Sequence, residues 1–296
     1  MVELWWILAL ISGMITGINI YLNQIIKMPS SLMMVYRGLL AALLMIPFAP
    51  LFPLPQNIRF WVLVTIQGLL ISYSDRKMYS GSKKFGGEIV ASIKPLVVSL
   101  VFVFWWVIKP SQLVELLQNP ERFILIIFCI LAISFSLFIV KNNKTNYDAL
   151  IFFIPALFCS MIIEANNKNI TMLGATTSLS SSVFYYCMLT AFWSGVPNFI
   201  RFLKYNNWHL IFYKKYLIGG CIIICSVQLG NILKNVAMYY TSNPAYVTAV
   251  MSLYPVWIIV WNLFYYRLNN IEKYPHCNFF AITILLIATI SLILLQ

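Results

Sequence analysis

The sequence predicts an all-α membrane protein of ten transmembrane helices, arranged as two inverted five-helix repeats. Hydrophobic residues fill 61% of the 296 positions and charged residues 9%, with a mean hydropathy of +0.84, which leaves too little polar surface to cover a water-soluble globule of that size. About ten stretches approach the ~20 apolar residues that a bilayer-spanning helix needs. The passage MYSGSKKFGGEIVASIKP, Met78 to Pro95, returns 160 positions later as MYYTSNPAYVTAVMSLYP, Met238 to Pro255. The two copies share Met78 with Met238, Tyr79 with Tyr239, Val90 with Val250, Ser92 with Ser252 and Pro95 with Pro255.

The first apolar stretch, 4–22, follows Glu3 with no basic segment before it and no small-residue cleavage signal behind it, so it is expected to stay as a helix. Spans 32–54, 58–80, 85–108 and 122–140 complete the first half, the fourth opening on Gly86-Gly87, which suit a tight turn or close packing. The polar run KNNKTNYD, Lys141 to Asp148, marks the boundary between residues 1–141 and 142–296. Spans 149–168, 178–201, 215–240, 244–267 and 277–295 form the second half. At an offset of 148, helix 1 maps on helix 6, with Ser12 on Ser160, Thr16 on Glu164 and Asn19 on Asn167. Five spans per half is an odd number, so the halves enter the membrane in opposite directions, about a pseudo-twofold axis in its plane.

The net charge of +12 would suggest nucleic acid in a soluble chain, but here Lys and Arg sit mostly in short loops, where membrane lipid and orientation account for them. No nucleic-acid partner is expected. Odd-numbered loops hold Lys27, Lys141, Lys144, Arg201, Lys204, Lys214, Lys215, Arg267 and Lys273 against Arg59, Lys109, Arg122 and Lys168 in even-numbered ones, which places the termini outside. The six cysteines form no CxxC pair, and Cys221 and Cys225, one turn apart, have no His or carboxylate nearby in sequence. No metal, cofactor or catalytic residue is expected. Asn143 and Asn169 head glycosylation sequons that would lie on opposite sides of the membrane, so at most one could be used.

Inside a bilayer each polar side chain needs a partner or a water-filled cavity. Helix 1 reads Ser12, Thr16, Asn19, Asn23, helix 6 reads Ser160, Glu164, Asn167, and helix 8 reads Gln228, Asn231, Asn235, Tyr239, each along one face. Their mate in helix 3 reads Gly68, Ile71, Asp75, Tyr79. These stripes can converge on one cavity, or they can hold helices together by hydrogen bonds. Arg37, early in helix 2, is a cavity cation or a snorkelling arginine. Lys94, mid-span before Pro95, must be neutral, paired or facing the cavity. Glu164 is either the partner of Lys94 or Arg37, or a group that takes up and releases a proton. Tyr79 and Tyr239 are either gates of the cavity or belt tyrosines at the membrane interface. The candidate substrate-binding residues are thus Asn19, Arg37, Tyr79, Lys94, Glu164, Asn167, Asn231, Asn235 and Tyr239.

With VYRGLLAALLMIPF in helix 2 and AMYYTSNPAYVTAVMSLYPVWIIVWNLFYYRL running from helix 8 into helix 9, the chain resembles the drug/metabolite transporter superfamily, in particular its EamA-type branch. The resemblance spans nearly the whole chain. It implies a secondary transporter of the cell's inner membrane that moves an amino acid or a related anionic or zwitterionic metabolite by alternating access. Lys94 ahead of Pro95 also resembles the nucleotide-sugar branch, which makes nucleotide-like solutes the alternative. A proton or a counter-transported solute is the candidate coupling partner. There is no GxxxxGK[ST] motif for ATP use, and two separated histidines do not build the interfacial cluster a membrane enzyme needs. A channel would present polar residues at both ends of its path, whereas apolar residues flank these stripes.

Overall fold

A computed structural model describes residues 4–85, 96–139, 147–204, 208–268 and 279–296. Among them it is all-helical, with no strand. The helices are α1 (Trp5–Ile26), α2 (Ser30–Leu51), α3 (Ile58–Phe85), α4 (Leu96–Ile108), α5 (Pro110–Leu117) and α6 (Pro120–Ile139) in the first half. The second half holds α7 (Tyr147–Ala175), α8 (Leu179–Lys204), α9 (Lys214–Tyr240), α10 (Pro244–Met251), α11 (Tyr254–Leu268) and α12 (Phe279–Leu295). Among the described residues four stretches are long and apolar enough to cross a membrane: Ser30–Leu51, Asp148–Ala175, Lys214–Tyr240 and Pro244–Trp261. A fifth arises if α4 and α5, bent by 101° at Lys109-Pro110, count as one span. This is a helical membrane protein.

Local chemistry explains several boundaries. Asn243 caps α10 by accepting from the Ala245 amide at 2.9 Å, and Pro244 supplies the first helical residue, where a missing N–H costs nothing. Pro110 does the same for α5 and forbids α4 from running straight on. α1 ends at Lys27, whose φ of 53° is the left-handed conformation of a helix C-cap. Two helices outrun the stretches marked in the sequence. α3 continues to Phe85, so Lys84 is helical, and α7 continues to Ala175, which moves Lys168 out of a loop. Lys168 is in fact 6% exposed, and its ammonium donates to the carbonyls of Met238 (3.0 Å) and Thr241 at the end of α9. A cation there satisfies orphan carbonyls at the negative end of the helix.

Packing repeats a pattern. α1 lies along α9 and against α11, while α7 lies along α3 and against α4; α6 pairs with α12, and α8 packs on α2, α3 and α7. One end of the bundle gathers the C-termini of α1, α3 and α8 with the N-termini of α2, α7 and α9. There Ile26 covers Gly219, Phe153 covers Gly81, and the Tyr36 hydroxyl donates to the Ile211 carbonyl at 2.6 Å. At the other end Trp5 meets Tyr246, and Arg122 donates to the carbonyls of Leu295 and Gln296 at 2.7 and 2.8 Å.

The tightest crossing is that of α2 and α8. A Cβ on Gly38 would stand 2.4 Å from Gly195 Cα, and one on Gly195 would stand 2.1 Å from Leu39 N. Backbone meets backbone here, so neither glycine can be enlarged without moving a helix. Within the same stretch α2 winds as a π-helix, Tyr36–Leu40. Gly195→Ala is expected to cost about 1–3 kcal/mol by overpacking, seen as a lower Tm in detergent. Ile200→Ala, at a 61% exposed position, should leave Tm nearly unchanged.

Candidate functional site

Four helices leave a small cavity between them, of about 40 Å³, lined by Arg37 and Gly38 of α2, Ile71 and Asp75 of α3, Thr190, Ser194 and Asn198 of α8, and Gln228 and Asn231 of α9. The π-turn of α2 carries Arg37. Its guanidinium Nη1 lies 3.4 Å from Asp75 Oδ2 and donates to the Tyr79 hydroxyl at 3.0 Å. Asp75 and Tyr79 stand one turn apart on α3, so a single face of that helix receives both bonds. The two charged side chains are 30% and 32% exposed, which leaves them within reach of a molecule in the cavity.

Across from them, Gln228 is 8% exposed, and neither its amide nitrogen nor its amide oxygen has a partner among the described residues. A buried amide without partners costs roughly 1–3 kcal/mol per group, so this side chain keeps its hydrogen-bonding capacity unspent at the expense of stability. Gln228 is at the middle of α9 (Lys214–Tyr240), which puts the cavity halfway along the bundle. Asn198 on the α8 side is already used: its amide nitrogen donates to Ser72 Oγ at 3.0 Å and to the Ser194 carbonyl at 2.7 Å.

A second charge pair lies one to two turns farther along α9. Lys234 Nζ is 2.6 Å from both carboxylate oxygens of Glu164, with side-chain exposures of 12% and 19%. Asn167 stands beside it. With its amide oxygen turned to Lys234 Nζ it accepts at 3.1 Å, and its nitrogen then donates to the Ile163 carbonyl at 3.2 Å and to the Tyr186 hydroxyl. Gln67 adds bonds to the same carbonyl (3.0 Å) and the same hydroxyl (2.9 Å). This cluster ties α3, α7, α8 and α9 together directly above the cavity.

The structure thus brings Arg37 and Asn231 to the cavity, with Tyr79 bonded to Arg37, and Glu164 and Asn167 to the adjoining cluster. Glu164 pairs with Lys234, where the sequence suggested Lys94 or Arg37, because α7 and α9 run side by side and Arg37 is held by Asp75. Asn235 is 1% exposed, donates to the Asn231 carbonyl at 2.7 Å and accepts from Thr171 at 3.4 Å, so it fastens helices. Asn19 accepts from Ser226, and Ser12 donates to the Gly230 carbonyl at 2.8 Å, so the α1 stripe clamps α9 from outside the cavity. Tyr239 stands 36% exposed against Tyr240, away from both clusters. Lys94 lies outside the described residues.

Sequence reasoning missed the α8 stripe Tyr186, Thr190, Ser194, Asn198 and the place of Gln67 at the head of Gln67, Ile71, Asp75, Tyr79. Both repeat every fourth residue, the spacing of one helix face, and that regularity was the available signal. Among the described residues no group of His, Cys, Asp and Glu could hold a metal ion. Comparison of the chain with protein-family models and with curated proteins gives no match.

Lys234→Ala leaves the Glu164 carboxylate without its cation and is expected to cost about 3–5 kcal/mol. Thermal unfolding in detergent should show a marked fall in Tm, and adding Glu164→Gln should restore most of it. Equal Tm values for Lys234→Ala and the parent would mean that the pair contributes nothing to stability.

Proposed function

We propose that the chain is a secondary-active transporter of a small organic metabolite, built as ten spans in two inverted five-helix repeats, residues 1–141 and 142–296. The observation that carries this reading is the mid-bundle cavity, in which the Arg37–Asp75 pair faces the unbonded amide of Gln228 inside an apolar helical protein. A binding cavity halfway along broken or irregular helices is where alternating-access carriers hold their solute.

The packing supports the repeat. α1 on α9 has its counterpart in α7 on α3, and the α4 contact of α7 mirrors the α11 contact of α1. α4 begins at Leu96, just after Pro95, and α11 begins at Tyr254, just before Pro255. The resemblance to EamA-type drug/metabolite transporters points the same way.

The described lining carries one cation and one anion, so it has no net charge. That favours an amino acid or another zwitterion over a nucleotide-like polyanion, which remains the alternative. Arg37 would take the carboxylate, Asp75 an ammonium group, and Gln228 and Asn231 the remaining polar atoms. About 40 Å³ holds water but no organic solute, and ligand pockets run to some 300 Å³ or more. Loading therefore requires α2 and α3 to part from α8 and α9, and the form described is closed. An open pore is disfavoured by the closure of the cavity.

A thermal-shift screen of purified protein against amino acids, nucleotides and nucleotide sugars should yield a stabilising solute, since ligand binding raises Tm by mass action. In proteoliposomes preloaded with that solute, uptake of its labelled form should accelerate, and Arg37→Ala and Gln228→Leu should each reduce this counterflow tenfold or more, on the order of 1.4 kcal/mol of lost binding. Uptake indifferent to preloading would identify a pore. Counterflow that survives both substitutions would remove the cavity from the transport path.

A further inference from the structure

The two ends of the bundle differ sharply in charge and surface. At the end where α1, α3 and α8 finish, Lys77, Lys84, Arg201, Lys204, Lys214 and Lys215 lie on three helices and outnumber the acid of that end, Asp148 in the first turn of α7. Among the described residues the two ion pairs are both interior, and none of these six cations takes part in either. The guanidinium of Arg76 lies over the Tyr73 ring, 5.6 Å from its centre. At the opposite end Arg59, Lys109 and Arg122 are offset by Glu115 and Glu121.

What lies beneath the cations is apolar. Lys77 Nζ sits 4.3 Å from the centre of the Phe152 ring, and Lys84 Nζ lies 5.7 Å from the same ring and 4.9 Å from that of Phe85. On α9, exposed Leu217, Ile218 and Ile222 follow directly after Lys214 and Lys215, with Phe212 76% and Tyr213 57% exposed just ahead of them. On α8, Ile200 is 61% exposed next to Arg201. The 28 residues of α3 measure about 42 Å at 1.5 Å each, against ~30 Å of hydrocarbon, so its last turns reach the headgroup level.

From this layering we propose that the basic end is a binding collar for anionic phospholipid, with headgroup phosphates on the lysines and arginines and acyl chains along the aromatic and aliphatic surface below. A soluble anion has no use for the apolar layer. A nucleic acid would need the cations on an aqueous face rather than over lipid-facing side chains. An anionic leaflet supplies both layers at once, and its pull on a basic segment fades within a Debye length of about 8 Å, so the cations must sit at the headgroups to feel it. The collar requires that the chain span a membrane and is independent of what the cavity carries.

The test is native mass spectrometry of the full chain in mixed micelles holding phosphatidylglycerol and phosphatidylcholine in equal amounts. Several-fold enrichment of phosphatidylglycerol among the retained lipids is expected, falling to the bulk ratio in the Lys77→Gln, Lys84→Gln, Lys214→Gln, Lys215→Gln variant. Equal retention of the two lipids by the parent protein, or enrichment unchanged in the variant, would overturn the proposal. Should the variant not fold, the parent protein decides: enrichment must fall as ionic strength rises from physiological to high, and enrichment indifferent to salt counts against the collar. Inorganic phosphate that displaces phosphatidylglycerol and raises Tm as much as the lipid does would identify a free-anion site and would also overturn it. Counterflow is not part of this readout, so a failed collar and a failed transport reading can be told apart.

Discussion

Placing a charge inside an apolar helical bundle is expensive, and the cost is met only by a partner at close range. The Glu164–Lys234 contact at 2.6 Å meets it for α7 and α9, and so sets the height of one helix against the other. Much else is registered from that contact. Asn167, one turn beyond Glu164, can reach Tyr186 and Gln67 only at this setting, which positions α8 and α3. Lys168, the next residue, then meets the carbonyls that close α9. Four helices are fixed by neighbours on about two turns of α7.

The Arg37–Asp75 pair has a different character. It is about twice as exposed as the interior pair and uses a monodentate contact at 3.4 Å rather than two short ones. A looser pair next to an unbonded amide retains hydrogen-bonding capacity, whereas the inner cluster has spent most of its own. The protein thus separates a polar core that holds helices from a polar cavity with unbonded groups, though both are written in the same few residue types.

Much of the helical framework was legible in the sequence. The stretch 215–240 corresponds to α9 (Lys214–Tyr240) and 178–201 to α8 (Leu179–Lys204), because hydrophobic runs bounded by charge leave little freedom. The overrun of α7 was hidden because Lys168 read as a loop charge, although the carbonyls that close α9 take it. α5 was missed because eight amphipathic residues after a proline give no spanning signal. The site was half legible. Periodicity correctly grouped Asn231 with Gln228 and Glu164 with Asn167 on their helix faces. It could not say which neighbour each face meets, since that depends on the rotation of one helix against another. For that reason Asn19 and Asn235 looked like cavity residues and serve as clamps.

The π-helical stretch in α2 has a mechanical meaning. Tyr36–Leu40 takes up one residue more per turn than the helix on either side of it. Such a wrinkle can travel along a helix or be absorbed, and absorbing it would rotate Ala41–Leu51 against Ser30–Val35 by about 100°, one residue's share of an α-turn. The wrinkle sits on the arginine itself and on the glycine that touches α8. A twist confined to one helix would therefore turn Arg37 away from Asp75 and unseat the Gly38–Gly195 contact in a single motion, with the far half of α2 acting as the lever.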